Sequence, residues 1–126
     1  MEPKTARETG AIVRVKEDVI GKTVVNYGRE NIGEITEMVV DTTAGRITYA
    51  ILSFGGFLGV GDKLFAVPWV SLSYDRTHDV FVMKADKNLL KNAPGFDKQN
   101  WPDMSDPTRI SEIYKYYGSE PYWQQK

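Results

Sequence analysis

The sequence predicts a mostly β domain: a small, strongly bent β-barrel with short helices at its C-terminal end. Three observations carry that expectation. From residue 19 to residue 85 the chain consists of apolar runs of strand length, separated by glycine, asparagine and aspartate turns. One run changes phase part-way along, which requires a bulge and therefore a bent strand. Beyond residue 85 the alternation gives way to two short helical patterns, each opened by a capping residue.

A chain of 126 residues is the length of one domain. It buries roughly two-thirds of its unfolded surface, enough for a core without disulfides or metals. Sixteen basic side chains against seventeen acidic ones leave a formal charge of −1. Sequence-independent nucleic-acid binding needs a dense basic surface to displace counterions, so this balance argues against it. The chain has no cysteine, which excludes disulfides, zinc–thiolate sites, iron–sulfur clusters and thiol nucleophiles, and fits a reducing compartment. No N-terminal apolar run has the length of a signal peptide, and no run of about 18 apolar residues could span a membrane. A cytoplasmic location is the expectation.

Residues 1–18 are highly charged and have few large apolar groups, so they read as a mobile tail, with Ile12, Val13 and Val15 available to pair against a sheet edge. Residues 19–25 read as a strand. The turn that follows contains Gly28, suited to positive φ, and Asn26 and Asn31, whose side chains can bond nearby backbone. In the run 32–41, Ile35 has one parity, Met38 and Val40 the other. One extra residue near Thr36 and Glu37 returns all three to a common face. Residues 41–46 form a hairpin turn with Gly45 placed for the left-handed conformation. In the strand 47–54, Ile47, Tyr49 and Ile51 share one face and Ala50, Leu52 and Phe54 the other. A glycine-rich loop spans 55–62, and 63–67 resumes a strand. Pro68 bends the chain before 69–74, and 80–85 is the last strand. Asp86 caps a helix through Asn92. Ser105 and Asp106, with Pro107, open a second one, whose stripe is Ile110, Ile113, Tyr114 and Tyr117.

None of the patterns that carry chemistry is complete. Gly56 and Gly61 have the gap of a phosphate-binding loop, but Asp62 stands where its lysine belongs and no helix follows. His78, the one histidine, lies in a polar turn between Asp75 and Asp79, which reads as solvated surface without ligand spacing. Glu34 and Glu37 alternate with apolar neighbours and mark a solvent face. Among the aromatic residues Phe54, Phe57, Phe65 and Trp69 the one interleaved basic residue is Lys63, cancelled by Asp62, so they make no stacking surface for single strands. The expectation is no catalytic residue, no metal and no cofactor.

The strand 47–54 directs attention to a partner. A strand apolar on both faces is covered on both, by its own chain or by another molecule. The loop adds Phe57, Leu58 and Val60, which are costly to expose on a monomer. Phe54, Phe57, Leu58 and Val60 are therefore the candidate partner surface. The expected function is a non-enzymatic protein-interaction or assembly module that self-associates as a homodimer. The alternative is a small-ligand or cofactor-binding barrel, although few-stranded barrels fill their interior with side chains.

Several segments in order resemble a PRC-barrel domain. These are Val19-Ile20-Gly21-Lys22, Ile32-Gly33-Glu34-Ile35, Asp41 through Gly45-Arg46-Ile47, Ser53-Phe54-Gly55-Gly56-Phe57-Leu58-Gly59 and Asp62-Lys63-Leu64-Phe65-Ala66-Val67-Pro68-Trp69. Lys91-Asn92-Ala93-Pro94-Gly95-Phe96-Asp97 and Asn100-Trp101-Pro102 are similar to stand-alone bacterial members. The resemblance places the barrel at residues 19–104, with a C-terminal helix and tail at 105–126. It implies a docking or assembly module, as in the cytoplasmic domain of the photosynthetic reaction-centre H subunit. It brings no catalytic motif, and no membrane helix precedes the barrel here as one does in that subunit.

Overall fold

A computed structural model of the chain describes residues 12–54 and 63–121. It contains six strands, β1 (Thr23–Val25), β2 (Asn31–Asp41), β3 (Arg46–Ser53), β4 (Leu64–Pro68), β5 (Leu72–Asp75) and β6 (Val80–Met83), then helices α1 (Lys87–Lys91) and α2 (Pro107–Tyr116). The strands form one sheet in the order β4-β3-β2-β1-β6-β5. Neighbours are antiparallel except β1 and β6, which run parallel.

The connections force this sheet to roll. Flat, five inter-strand steps would hold the β4 and β5 edges about 24 Å apart. A single helical turn, Trp69–Ser71, joins those edges, and the chain from Pro68 to Leu72 reaches at most about 14 Å. The bent sheet therefore encloses one main core to which all six strands contribute, including Val24, Ile35, Leu52, Val67, Leu72 and Phe81. Hydrogen bonds do not close the barrel, since β4 and β5 remain its two edges.

The expected bulge lies at Thr36. Ile35 pairs with Leu52 and Glu37 with Ile51, so Thr36 is the extra residue, and its hydroxyl donates to the Ile51 carbonyl at 3.2 Å. Met38 packs on the main core as the phase argument requires, but Val40 is 55% exposed. A second irregularity pairs Val39 with Tyr49 and Val40 with Ile47, leaving Thr48 of β3 as the extra residue. That shift carries Val40 off the core face. Gly45 takes φ 68° in the hairpin, while Asp41 accepts from the Thr43 and Ala44 amides.

Three local expectations change. The run 19–25 is not one strand: Val15–Val19 form a wide helical turn, Val19 is buried, and the chain turns at Ile20 and Gly21 before β1. That turn also occupies part of the segment read as a tail, and Val13 packs on the core; residues 1–11 lie outside the described residues. The positive φ in the β1–β2 turn falls on Arg29 (65°) rather than Gly28. There, buried Asn26 grips Glu30 through backbone and side chain and accepts the Arg29 amide, which fixes the chain's path. Residues 69–71 form a helical turn rather than strand. Both helix caps stand as expected, with Asp86 accepting from the Leu89 amide and Asp106 from that of Thr108.

From Tyr49 onward the two faces of β3 divide as the alternation predicts, whereas Ile47, on the far side of the extra residue Thr48, is half-buried and belongs to neither core cluster. Ala50, Leu52 and Phe54 join the main core, whereas Tyr49 and Ile51 form a second cluster with Leu64 and Ala66 of β4 and Ile113 and Tyr114 of α2. Tyr49, Ala50, Ile51 and Leu52 are each 0% exposed. The strand's second face is thus shielded by the chain's own helix. The argument that a partner must cover it does not hold.

Candidate docking surface

Of the four residues proposed from sequence, the described one, Phe54, is not exposed. Phe54 is 1% exposed, its ring tilted against Phe65 at 4.6 Å between centroids. It is a core residue, because the strand parity that pairs it with Leu52 sends it inward. Phe57, Leu58 and Val60 lie outside the described residues. The strand ends on either side of them are described: Ser53 and Leu64 are paired across β3 and β4.

Beside those strand ends the chain builds an aromatic rim. Leu64 and Phe96 exchange two backbone hydrogen bonds of 2.9 Å each, tying the segment after α1 to the β4 edge. Trp101 then packs on Phe96 with centroids 4.9 Å apart, yet stays 37% exposed. It borders a surface groove of about 690 Å³ lined also by Thr36, Glu37, Ser53, Leu64 and Lys98. A large apolar ring at the edge of such a groove, flanked by groups of both charges, has the composition of an interface margin. The sequence analysis named Trp101 only within the family-like segment Asn100-Trp101-Pro102 and gave it no surface role. Its position between Asn100 and Pro102, in a polar stretch, was the available sign that it would remain partly outside.

A second groove of about 650 Å³ runs between the end of the β2–β3 hairpin and the start of α2, where Val39, Val40, Met104, Pro107 and Ile110 meet Thr43. Among the described residues, the side chains of the main core occupy the barrel interior.

A polar array ties the β5–β6 turn to the strands beside it. Asp75 meets His78 Nδ1 at 2.8 Å and Arg29 Nη1 at 2.9 Å. The His78 hydrogen bond, then that of Arg29, lowers its carboxyl from 3.8 to about 2. Asp79, itself at φ 53°, accepts from Lys22 and from the Tyr74 hydroxyl, and both hold it below the usual carboxylate range. His78 is exposed, as its turn position suggested, but it is partnered. Because folding depresses the Asp75 pKa, its stabilising contribution is complete above about pH 3.8 and is lost as pH falls through about 2. The thermal midpoint of wild type should therefore exceed that of Asp75→Asn by a constant margin near neutrality, and the margin should close as pH approaches about 2. Melting curves across that range check this, and a margin unchanged in acid contradicts it.

Among the described residues no three His, Asp or Glu side chains gather closely enough to hold a metal ion. None of the described helices is long and apolar enough to cross a membrane. No curated protein matches the chain. A family model described as PRC-barrel domain matches residues 16–90, from within the helical turn before β1 to within α1, leaving α2 and its connection outside the match. With that match over more than half its length and a rolled six-stranded sheet to accompany it, the chain belongs to the PRC-barrel family.

Proposed function

We propose that this chain is a non-enzymatic protein-interaction module that self-associates through the rim at the β3–β4 end of the barrel. The observation that carries the reading is Trp101, held on Phe96 and still 37% exposed beside the strand ends that anchor the connection containing Phe57, Leu58 and Val60. Burial of the outer face of β3 by α2 removes the original reason for a partner, so the rim replaces that face as the proposed contact. A near-neutral charge favours contact between like copies, because it leaves little repulsion to overcome. The absence of cysteine supports a cytoplasmic setting. Small-ligand binding inside the barrel is the weaker reading, since core side chains already fill that space.

Light scattering on the full chain tests this. Wild type is expected at about twice the 14.3 kDa chain mass. Trp101→Ser, and separately the pair Phe57→Ser with Leu58→Ser, should return it toward a single chain. A monomeric wild type at working concentration would overturn the proposal.

A further inference from the structure

Resting on the self-association reading, we infer that two copies of this chain exchange α2, each helix seating on the outer β3–β4 face of the other copy. The first support is that α2 is separable from the barrel. The buried main core draws on residues 19–93 alone; Tyr116 of α2 and its C-cap Tyr117 pack at the margin of that core, and the Tyr116 hydroxyl donates to the Leu89 carbonyl of α1. The second cluster, by contrast, takes Ile113 and Tyr114 from the helix and Tyr49, Ile51, Leu64 and Ala66 from the sheet. Lifting α2 therefore leaves a filled barrel with one apolar outer face, whose shape and hydrogen-bond acceptor fit this particular helix. Tyr114 Oη donates to the Thr48 carbonyl at 2.8 Å.

The second support is the hinge. The connection from α1 is tied down as far as Trp101, through the Leu64–Phe96 hydrogen bonds and the ring contact. Five residues, 102–106, then lead into Pro107 at the start of α2. The hydrogen bonds within this hinge are local, from the Ser105 amide and hydroxyl to Asp103 and from the Asp106 amide to the Asp103 carbonyl, and its one large apolar side chain, Met104, packs on the second cluster. Proline biases the residue before it toward extended backbone, and Asp106 is extended already (φ −73°, ψ 112°). Short hinges invite exchange between copies, and exchange is inexpensive because the same contacts form across chains as within one.

The third support is reach. Five residues extend about 17 Å, so the copies must sit with their hinges adjacent. That brings the half-exposed Trp101 of each copy to the junction, the same rim on which the proposed self-association rests.

The test uses full-length protein carrying Val39→Cys and Ile110→Cys together. Both residues pack on the second cluster and line one groove, one on the sheet and one on the helix. The chain has no other cysteine, so a short bis-maleimide can join only these positions. Exchange predicts a covalent species at twice the 14.3 kDa chain mass on a denaturing gel, in excess of what either single variant gives. A light-scattering dimer whose double variant links at single-chain mass would overturn the exchange and leave self-association standing. So would doubling no greater than in the single variants. A monomer by light scattering would overturn both.

Discussion

Gly33→Ala is expected to destabilise the fold by about 3–5 kcal/mol, the sum of overpacking and backbone strain. Gly33 has φ 146°, where side-chain-bearing residues are strained. A Cβ added there would lie 2.6 Å from Phe54 Cε1, 2.7 Å from Cδ1 and 3.1 Å from the Ser53 carbonyl oxygen. The ring cannot retreat, because it is 1% exposed and already packed on Phe65 at 4.6 Å. Backbone would have to move at the point where β2 leaves β1 for β3. Gly45→Ala separates the two contributions. It shares the left-handed problem (φ 68°), but a Cβ there meets nothing within 4 Å, so its cost should be about 1 kcal/mol. Urea titrations of both variants check this, and equal midpoints would show that the collision with Phe54 is relieved at no cost.

Features fixed by neighbours in sequence were legible, and features fixed by distant ones were not. The phase change between Ile35 and Met38 revealed the bulge at Thr36, since a period of two admits only an extra residue as the remedy. The caps at Asp86 and Asp106 and the turn at Gly45 depend on bonds spanning a few residues. Val40 was misplaced because the irregularity that exposes it belongs to the opposite strand, at Thr48, and leaves no mark on the pattern of β2. Likewise, nothing near Gly28 indicates that Arg29 carries the positive φ; the choice is made by the bonds of Asn26.

The candidate site was harder for the same reason. Alternation correctly gave β3 two apolar faces, but identifying the cover of the second required knowing that Tyr114 returns to Thr48, 66 residues earlier. The stripe of Ile110, Ile113 and Tyr114 was visible as helical spacing, while its destination on β3 and β4 was not. Phe54 illustrates the converse. It was read both as a face-sharing partner of Leu52 and as part of an exposed surface, and the first, which follows from pleat geometry, prevailed.

Tyr114→Ala should cost about 3–5 kcal/mol locally, the range for truncating a large buried aromatic side chain. The ring is 0% exposed and stands edge-on to Tyr49 with centroids 5.9 Å apart, so its removal empties the middle of the second cluster. The loss should be confined to one region. Because the buried main core includes no residue of α2, the helix can detach while Val24, Ile35, Leu52 and Phe81 stay packed. Hydrogen exchange is then expected to lose protection across α2, with the amides joining β1, β2 and β3 remaining protected. Tyr114→Phe keeps the ring and removes only the donor to the Thr48 carbonyl, so about 1–2 kcal/mol and slower opening than in the alanine variant are expected. Uniform loss of protection in Tyr114→Ala would mean that α2 and the barrel unfold as one unit. In that case the helix could not leave its own sheet while the barrel stayed folded, and exchange between folded copies would have no route.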